Sequence, residues 1–145
     1  MQFDFSQIED FESYVSVPEG TYLCRVAEVR EGVARDGSVR WGYRLEVAEG
    51  EYAGRTAAWD AITWSDRGVH RVKRVLASFG IDTRGSVELE ASDLIGLRAF
   101  ATLEPEERED PVTGRRQVRL RVPYAGYAPA ETSAERVRER PPGER

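Results

Sequence analysis

Three tryptophans and two groups of arginines give this sequence its strongest chemical signal. Trp41, Trp59 and Trp64 lie close together in the chain. The arginines fall around the same segment and again further on: Arg30, Arg35, Arg40 and Arg44 form one group, and Arg115, Arg116, Arg119 and Arg121 form the other. Aromatic rings stack on nucleobases, and guanidinium groups bind phosphates through a fork of donors. Together these residue types predict a surface that binds a single-stranded nucleic acid.

Catalytic chemistry finds little support in the sequence. His70 is the single histidine and Cys24 the single cysteine, and Cys24 falls among apolar residues of a predicted strand, so no nucleophile and base are paired. Zinc-ligand spacing, a Walker loop and a G-x-G-x-x-G loop are all missing. The acids between Glu106 and Asp110 lack the regular spacing of a calcium loop. We therefore expect a protein that is not an enzyme, with no catalytic residues, no metal and no cofactor.

The net charge of −5 is unevenly distributed. Asp4, Glu9, Asp10 and Glu12 stand among the first thirteen residues without a base, so the rest of the chain is close to neutral. Lys73 is the only lysine, and a genome rich in G and C would produce the same preference for arginine. Charge alone therefore does not decide the ligand.

The same composition indicates where the protein works. A single cysteine excludes an internal disulfide and is typical of a reducing compartment. No apolar run reaches the roughly 20 residues that a membrane span requires, and the acidic N-terminus is unlike a secretory signal. We expect a cytoplasmic protein (host cytoplasm if viral) that does not associate with a membrane.

Hydrophobic periodicity predicts five strands and one helix. Alternating or β-rich segments cover residues 21–30, 39–48, 55–64, 97–103 and 117–124. Between the third and fourth strands, residues 66–79 have a helical period, with Asp66 as the expected cap and Gly80 as the stop. This order predicts an all-β protein with one helix: a five-stranded OB-type Greek-key barrel with the helix between strands 3 and 4, in which the strands follow the ring order 1-2-3-5-4.

Composition also divides the chain into three parts. Residues 1–17 form an acidic aromatic N-terminal arm, residues 18–128 the OB-fold domain, and residues 129–145 a flexible tail with too little apolar surface to fold. The arm interleaves acids with Phe3, Phe5, Ile8 and Phe11, which makes it a candidate contact for replication or recombination proteins. Phe100 falls on the polar side of strand 4, which makes it a candidate subunit contact. A homo-oligomer therefore stays open.

The ligand face of an OB barrel is formed by strands 2 and 3 and adjacent loops, where the tryptophans fall. Alternation directs Tyr43 to the core, while Trp41 either packs there or projects past the barrel rim. Because Asp60 shares parity with Trp64, we expect Trp59 to face inward and Trp64 outward. The basic face of the helix should lie away from the ligand. The predicted nucleic-acid-binding residues are Arg40, Trp41, Arg44, Trp59, Trp64, Arg115, Arg116, Arg119 and Arg121.

Five segments of the sequence also carry a resemblance. They are FDFSQIEDFESY with the following Pro-Glu-Gly-Thr-Tyr, YRLEVAEGEYAGR at 43–55, VKRVLASFGI at 72–81, DLIGLRAFATLEPE at 93–106 and Tyr-Ala-Gly-Tyr at 124–127. With them the chain resembles a family of phage-type OB-fold single-stranded-DNA-binding proteins, largely described as domains of unknown function. The resemblance implies the OB fold and a setting in replication or recombination, and it carries no catalytic residues.

The predicted function is sequence-nonspecific binding of single-stranded DNA in phage DNA replication or recombination, by aromatic stacking and arginine–phosphate contacts. The alternative is a non-enzymatic OB-fold module that holds together the proteins of a replication or recombination complex, since a fold does not fix a function. RNA in place of DNA also stays open.

Overall fold

The computed structural model describes residues 11–13 and 15–130. Within them, the alternating segments of the sequence form strands, and the segment of helical period forms the one α-helix. The elements are β1 (Phe11–Ser13), β2 (Gly20–Val33), β3 (Val39–Val47), β4 (Thr56–Trp64), α1 (Val69–Ser78), a 3-10 helix (Ala91–Leu94), β5 (Arg98–Glu109), β6 (Arg116–Arg121) and β7 (Tyr127–Pro129). The fold is mostly β with a single α-helix, as expected. Within these residues, no helix is long and apolar enough to cross a membrane.

The strands form one sheet in the order β1-β6-β5-β2-β3-β4, and β7 pairs with β5. All neighbours are antiparallel except β1 and β6, which are parallel. Strand β5 is long enough to serve two strands, because its first half pairs with β2 and its second half with β6. This order contains the neighbour pairs expected of the predicted barrel except the last, between β4 and β6.

The sheet stays open between β4 and β6. Their Cα atoms come within 8 Å of each other, but no backbone ladder joins the two strands in the described part of the chain. The closed barrel expected from the sequence is therefore not formed by backbone pairing. A groove lined by residues of both strands lies at this opening.

A bulge in β2 decides which residues reach the outer surface. Its register with β3 shifts between Val26 and Glu28. Before the shift Cys24 and Val26 are buried, and after it Val29 packs against the core while Arg30 is exposed. The extra residue thus reverses the alternation. Without it, Arg30 would point into the core.

Helix α1 packs its apolar face on the sheet through Val72, Val75 and Leu76. It begins three residues later than expected and Asp66 is not its cap, because Gly68 takes that position. The hydroxyl of Ser65 accepts the N–H of Gly68 at 3.0 Å, and a Cβ at Gly68 would collide with the carbonyl oxygen of Thr63. Glycine at this position therefore lets the helix start directly against the end of β4.

The helix ends as the sequence predicts. Gly80 has a φ of +88°, and its N–H donates to the carbonyl of Ala77 while that of Ile81 donates to Leu76, both at 3.0 Å. This is the paired C-terminal motif that glycine favours because it adopts a left-handed conformation without strain.

Residues 104–109 follow the fourth predicted strand (97–103), and they continue it to complete β5. Cross-strand charges explain the difference. Arg116 donates to both carboxylate oxygens of Glu107, at 3.0 and 2.9 Å, and Arg121 donates twice to Glu104, at 3.0 and 2.7 Å. Opposite charges on facing strands stabilise pairing that the acids alone would disfavour.

The arm and tail are described only in part. Within the predicted arm, Phe11–Ser13 forms β1 beside β6, and within the predicted tail Pro129 ends β7. Residues 1–10, 14 and 131–145 lie outside the described residues. The expectations for Phe3, Phe5, Ile8 and the remainder of the tail therefore lie outside them too.

Candidate functional site

The outer face of β2, β3 and β4 carries cationic and aromatic side chains in cross-strand rows. The rows are Gly32, Arg40 and Thr63, then Arg30, Gly42 and Ala61, then Glu28, Arg44 and Trp59. Residues paired across strands lie on the same face. Gly42 has no side chain and Ala61 only a methyl group, so the middle row forms a depression in the surface. The guanidinium of Arg40 lies over Gly42, 3.5 Å from where a Cβ would stand. The result is a shallow floor with arginines and a tryptophan at its margins.

A groove of about 680 Å³ runs from this face across the opening to β6. Its lining contains two aromatic residues, Trp59 and Tyr124, and more positive than negative side chains. The cations are Arg30, Arg40, Arg71, Arg108, Arg119 and Arg121, and the acids are Glu31, Asp60 and Glu106. A cleft with an excess of one charge concentrates ligands of the opposite charge. This groove therefore favours a polyanion.

Trp59 is the exposed aromatic residue on the floor side of the groove, with 43% of its surface accessible. The guanidinium carbon of Arg30 lies 4.7 Å from the centroid of its ring. Glu28 accepts a hydrogen bond from Nε of Arg30 at 2.6 Å and from Nε of Arg44 at 3.5 Å. One carboxylate thus orders two cations beside an exposed ring, and one of these cations stacks on that ring.

The arginines of the site differ in whether a carboxylate already neutralises them. Arg121 is bound by Glu104 and lies 3.7 Å from Glu106. Arg44 lies between Glu28 and Glu46. Within the described residues, no hydrogen bond or ion pair engages the exposed side chain of Arg40. Because no described residue competes for its donors, Arg40 is the arginine of the groove best placed to take an anion.

Beneath the groove, the inner face of the same strands holds a polar network around Asp60. Its Oδ2 accepts a hydrogen bond from Tyr127 at 2.6 Å and one from Arg71 at 2.7 Å. The hydroxyls of Tyr43 and Tyr127 are 2.8 Å apart, and Tyr43 also donates to Asp60 Oδ2 at 3.3 Å, so the two phenols and the carboxylate form one hydrogen-bonded cluster. Burial raises the pKa of both phenols well above the ordinary value for tyrosine. The next cause for Tyr43 is the charge of Asp60. For Tyr127 it is Tyr43, followed by Asp60.

The same network satisfies the edge of β4 that faces the opening. Asp60 Oδ1 accepts the N–H of Ala61 at 2.8 Å, and Arg71 donates to the carbonyl of Ala61 at 2.6 Å. Burial opposes the charge on Arg71, but Asp60 outweighs it and the pKa of Arg71 rises. Side chains therefore take up backbone groups at the point where β4 and β6 do not pair, which stabilises the opening.

The facing expected for two tryptophans is wrong. Trp59, expected inward, is exposed, while Trp64, expected outward, packs against the core. Trp41 is only 6% exposed and contacts Trp64 edge to face with ring centroids 5.0 Å apart, so it does not project past the rim. Tyr43 is buried as expected. An acidic residue usually marks the outer side of a strand, but the network with Tyr43, Tyr127 and Arg71 holds Asp60 on the inner side of β4.

The predicted site residues therefore separate into three groups. The groove brings together Arg40, Trp59, Arg119 and Arg121, with Arg44 beside Trp59. The core takes Trp41 and Trp64. Arg115 and Arg116 lie at the tip of the hairpin between β5 and β6, outside the groove lining.

Four cationic or aromatic residues of the groove lining were not among the predicted ones: Arg30, Arg71, Arg108 and Tyr124. Arg30 reaches the outer face because of the bulge in β2, and no residue of the strand predicts that bulge. Arg71 was assigned to a helix face expected to lie away from the ligand. Tyr124 stands in the Tyr-Ala-Gly-Tyr segment directly after a proline, and this exposed turn position was the one available signal.

The fold and groove define a mostly β protein, with one α-helix, that presents a cationic and aromatic cleft. A family model described as Protein of unknown function (DUF669) matches residues 1–81. The match covers more than half of the chain, and the protein belongs to this family. It includes β2, β3, β4 and α1, which form the floor of the groove, but not β6. A search of curated proteins found no match to the chain.

Proposed function

We propose that this protein binds single-stranded DNA without sequence preference, in phage DNA replication or recombination, through the groove over β3, β4 and β6. The observation that carries the proposal is a grouping on one floor: the exposed Trp59, the ordered Arg30 on its ring, and Arg40, which no described carboxylate pairs. Stacking on an aromatic ring is worth about 1–3 kcal/mol per base and tolerates any base, because every base has a π face.

The strand order supports an OB-type barrel as the architecture. Strands β2 to β6 correspond to the five predicted strands, and α1 lies between the third and the fourth. In that correspondence, the groove lies on the face formed by strands 2 and 3, where OB folds bind oligonucleotides. Arg119 and Arg121 of β6 line the same groove as Trp59.

The charges of the groove predict how the binding should respond to salt. Arginines and carboxylates both line it, so we expect moderate affinity that weakens as salt rises, with a slope set by the few phosphates contacted. Side chains that read base edges are not needed for this mode, and sequence preference should be small.

The test is a fluorescence anisotropy titration of the full chain with labelled oligo-dT of about 30 nucleotides, longer than the site of a single OB domain. Oligo-rU and a duplex of equal length serve as comparators. We expect saturable binding to oligo-dT, weaker binding to duplex and a loss of affinity at higher salt. If the folded protein shows no affinity for oligo-dT at low ionic strength, the proposal fails and the assembly-module alternative takes its place. Tighter binding to oligo-rU would instead assign the groove to RNA.

A further inference from the structure

A second exposed aromatic residue stands beside an arginine where the groove leaves β6. Tyr124 lines the groove and is 56% exposed. The guanidinium carbon of Arg74 in α1 lies 5.9 Å from the centroid of its ring. The arrangement repeats that of Arg30 over Trp59, but it is built from the helix and the turn after β6.

The helix presents this arginine on the flank that continues the groove. Arg71 reaches into the groove from α1, and Arg74, three residues later, lies about 60° from it around the helix axis. Lys73 lies about 100° from Arg74 in the other direction, away from Arg71. The chain has no acid between Asp66 and Asp82, so no carboxylate of α1 opposes the cations of this flank.

We infer that a bound single strand continues out of the groove past Tyr124 and onto the Arg74 flank of α1, with a base on the Tyr124 ring and a phosphate at Arg74. The inference rests on the proposed function and extends it, because it assigns a second stacking position and a longer footprint. It also gives the helix a part in binding that the sequence did not predict. Strands short enough to occupy only the floor end of the groove, around Trp59, should not reach this position.

The test is a length series of labelled oligo-dT, from about 4 to about 16 nucleotides, the range of site sizes for one OB domain. The variants are Tyr124→Ala, Tyr124→Phe and Arg74→Ala, and Lys73→Ala is the matched control on the same helix. Tyr124→Ala should weaken binding of the longest oligonucleotides about 5- to 100-fold and leave the shortest unchanged. Tyr124→Phe, which keeps a ring, should recover most of the affinity.

Arg74→Ala should flatten the plot of log affinity against log salt by up to about 0.7 for the longest oligonucleotides only, and Lys73→Ala should change it less. The inference is overturned if Tyr124→Ala and Arg74→Ala match Lys73→Ala at every length while Trp59→Ala still weakens binding, an outcome that leaves the groove standing. It is also overturned if Tyr124→Ala weakens short and long strands equally. If the unaltered protein binds none of them, the inference and the proposed function fail together.

Discussion

The two faces of strands β3 and β4 are built from neighbouring residues of similar type, yet they are suited to different tasks. On the inner face, Trp41 and Trp64 contact each other edge to face in the core. On the outer face, Trp59 and Arg40 are exposed along a groove. A buried ring stabilises the fold through the water it excludes, whereas an exposed ring beside a cation is available to a ligand. Residue type therefore does not decide which task a side chain has, whereas the face of the strand does.

The largest effect should come from removing an inner ring. We expect Trp41→Ala to lower the free energy of unfolding by about 3–5 kcal/mol, because it leaves a cavity in the core. Urea denaturation followed by labelling of Cys24 measures this loss. That thiol is buried, and burial raises its pKa to about 12, so it reacts slowly until the protein unfolds. Trp59→Ala is the outer-face control and should cost about 0.5 kcal/mol. Equal losses would contradict the assignment of the two faces.

The next effect concerns the polar network. Asp60→Ala should lower the free energy of unfolding by about 3 kcal/mol, since it leaves Arg71 without its charge partner. This is the low end of the range for buried pairs because the two side chains keep 17 and 20% of their surface exposed. Tyr127→Phe, which removes only the hydroxyl, should cost about 1 kcal/mol. Thermal unfolding of both variants measures these losses. An Asp60→Ala variant as stable as the unaltered protein would mean that the network does not stabilise the opening.

On the outer face, Trp59→Ala should weaken binding of oligo-dT by about 1–3 kcal/mol and leave the salt slope nearly unchanged, because it removes stacking and no charge. Anisotropy titrations at several salt concentrations separate the two terms. Trp59→Phe should recover part of the affinity. A Trp59→Ala protein that unfolds, or that binds as tightly as the unaltered one, would place the base elsewhere.

The smallest effect compares two exposed arginines. Arg40→Ala should flatten the plot of log affinity against log salt by up to about 0.7, the value for one phosphate contact on a single strand. Arg116→Ala removes the same charge, but Glu107 already binds that side chain through two hydrogen bonds, so its slope should change less. The same titrations measure both. A larger change for Arg116 would move the ligand to the tip of the β5–β6 hairpin.

Much of the fold could be predicted because its signals are local. The alternation predicts a strand over residues 39–48, and β3 covers Val39–Val47. Gly80 ends the helix for a backbone reason. The continuation of β5 through Glu109 could not be predicted, since its acids form a strand only opposite the arginines of β6. Partners distant in sequence decide such elements.

The site was harder to predict for two physical reasons. Alternation separates the faces of a strand but does not say which is inside, and Asp60 gave the wrong answer because a buried network satisfies it. Arginines of equal appearance also differ in their partners. Arg40 and Arg116 are both exposed in the structure. Among the described residues, Arg116 is paired with a carboxylate and Arg40 is not, and the pairing depends on strand register.

The central claim, that a single strand lies in the outer groove with a base on Trp59, can be tested most directly by photocrosslinking. An oligo-dT carrying 5-iododeoxyuridine is bound to the full chain and irradiated, and the modified residues are identified by mass spectrometry. We predict crosslinks at Trp59 and, for longer strands, at Tyr124, and none at Trp41 and Trp64 on the inner face. Crosslinks confined to residues outside the groove, with Trp59 unmodified, would contradict the account.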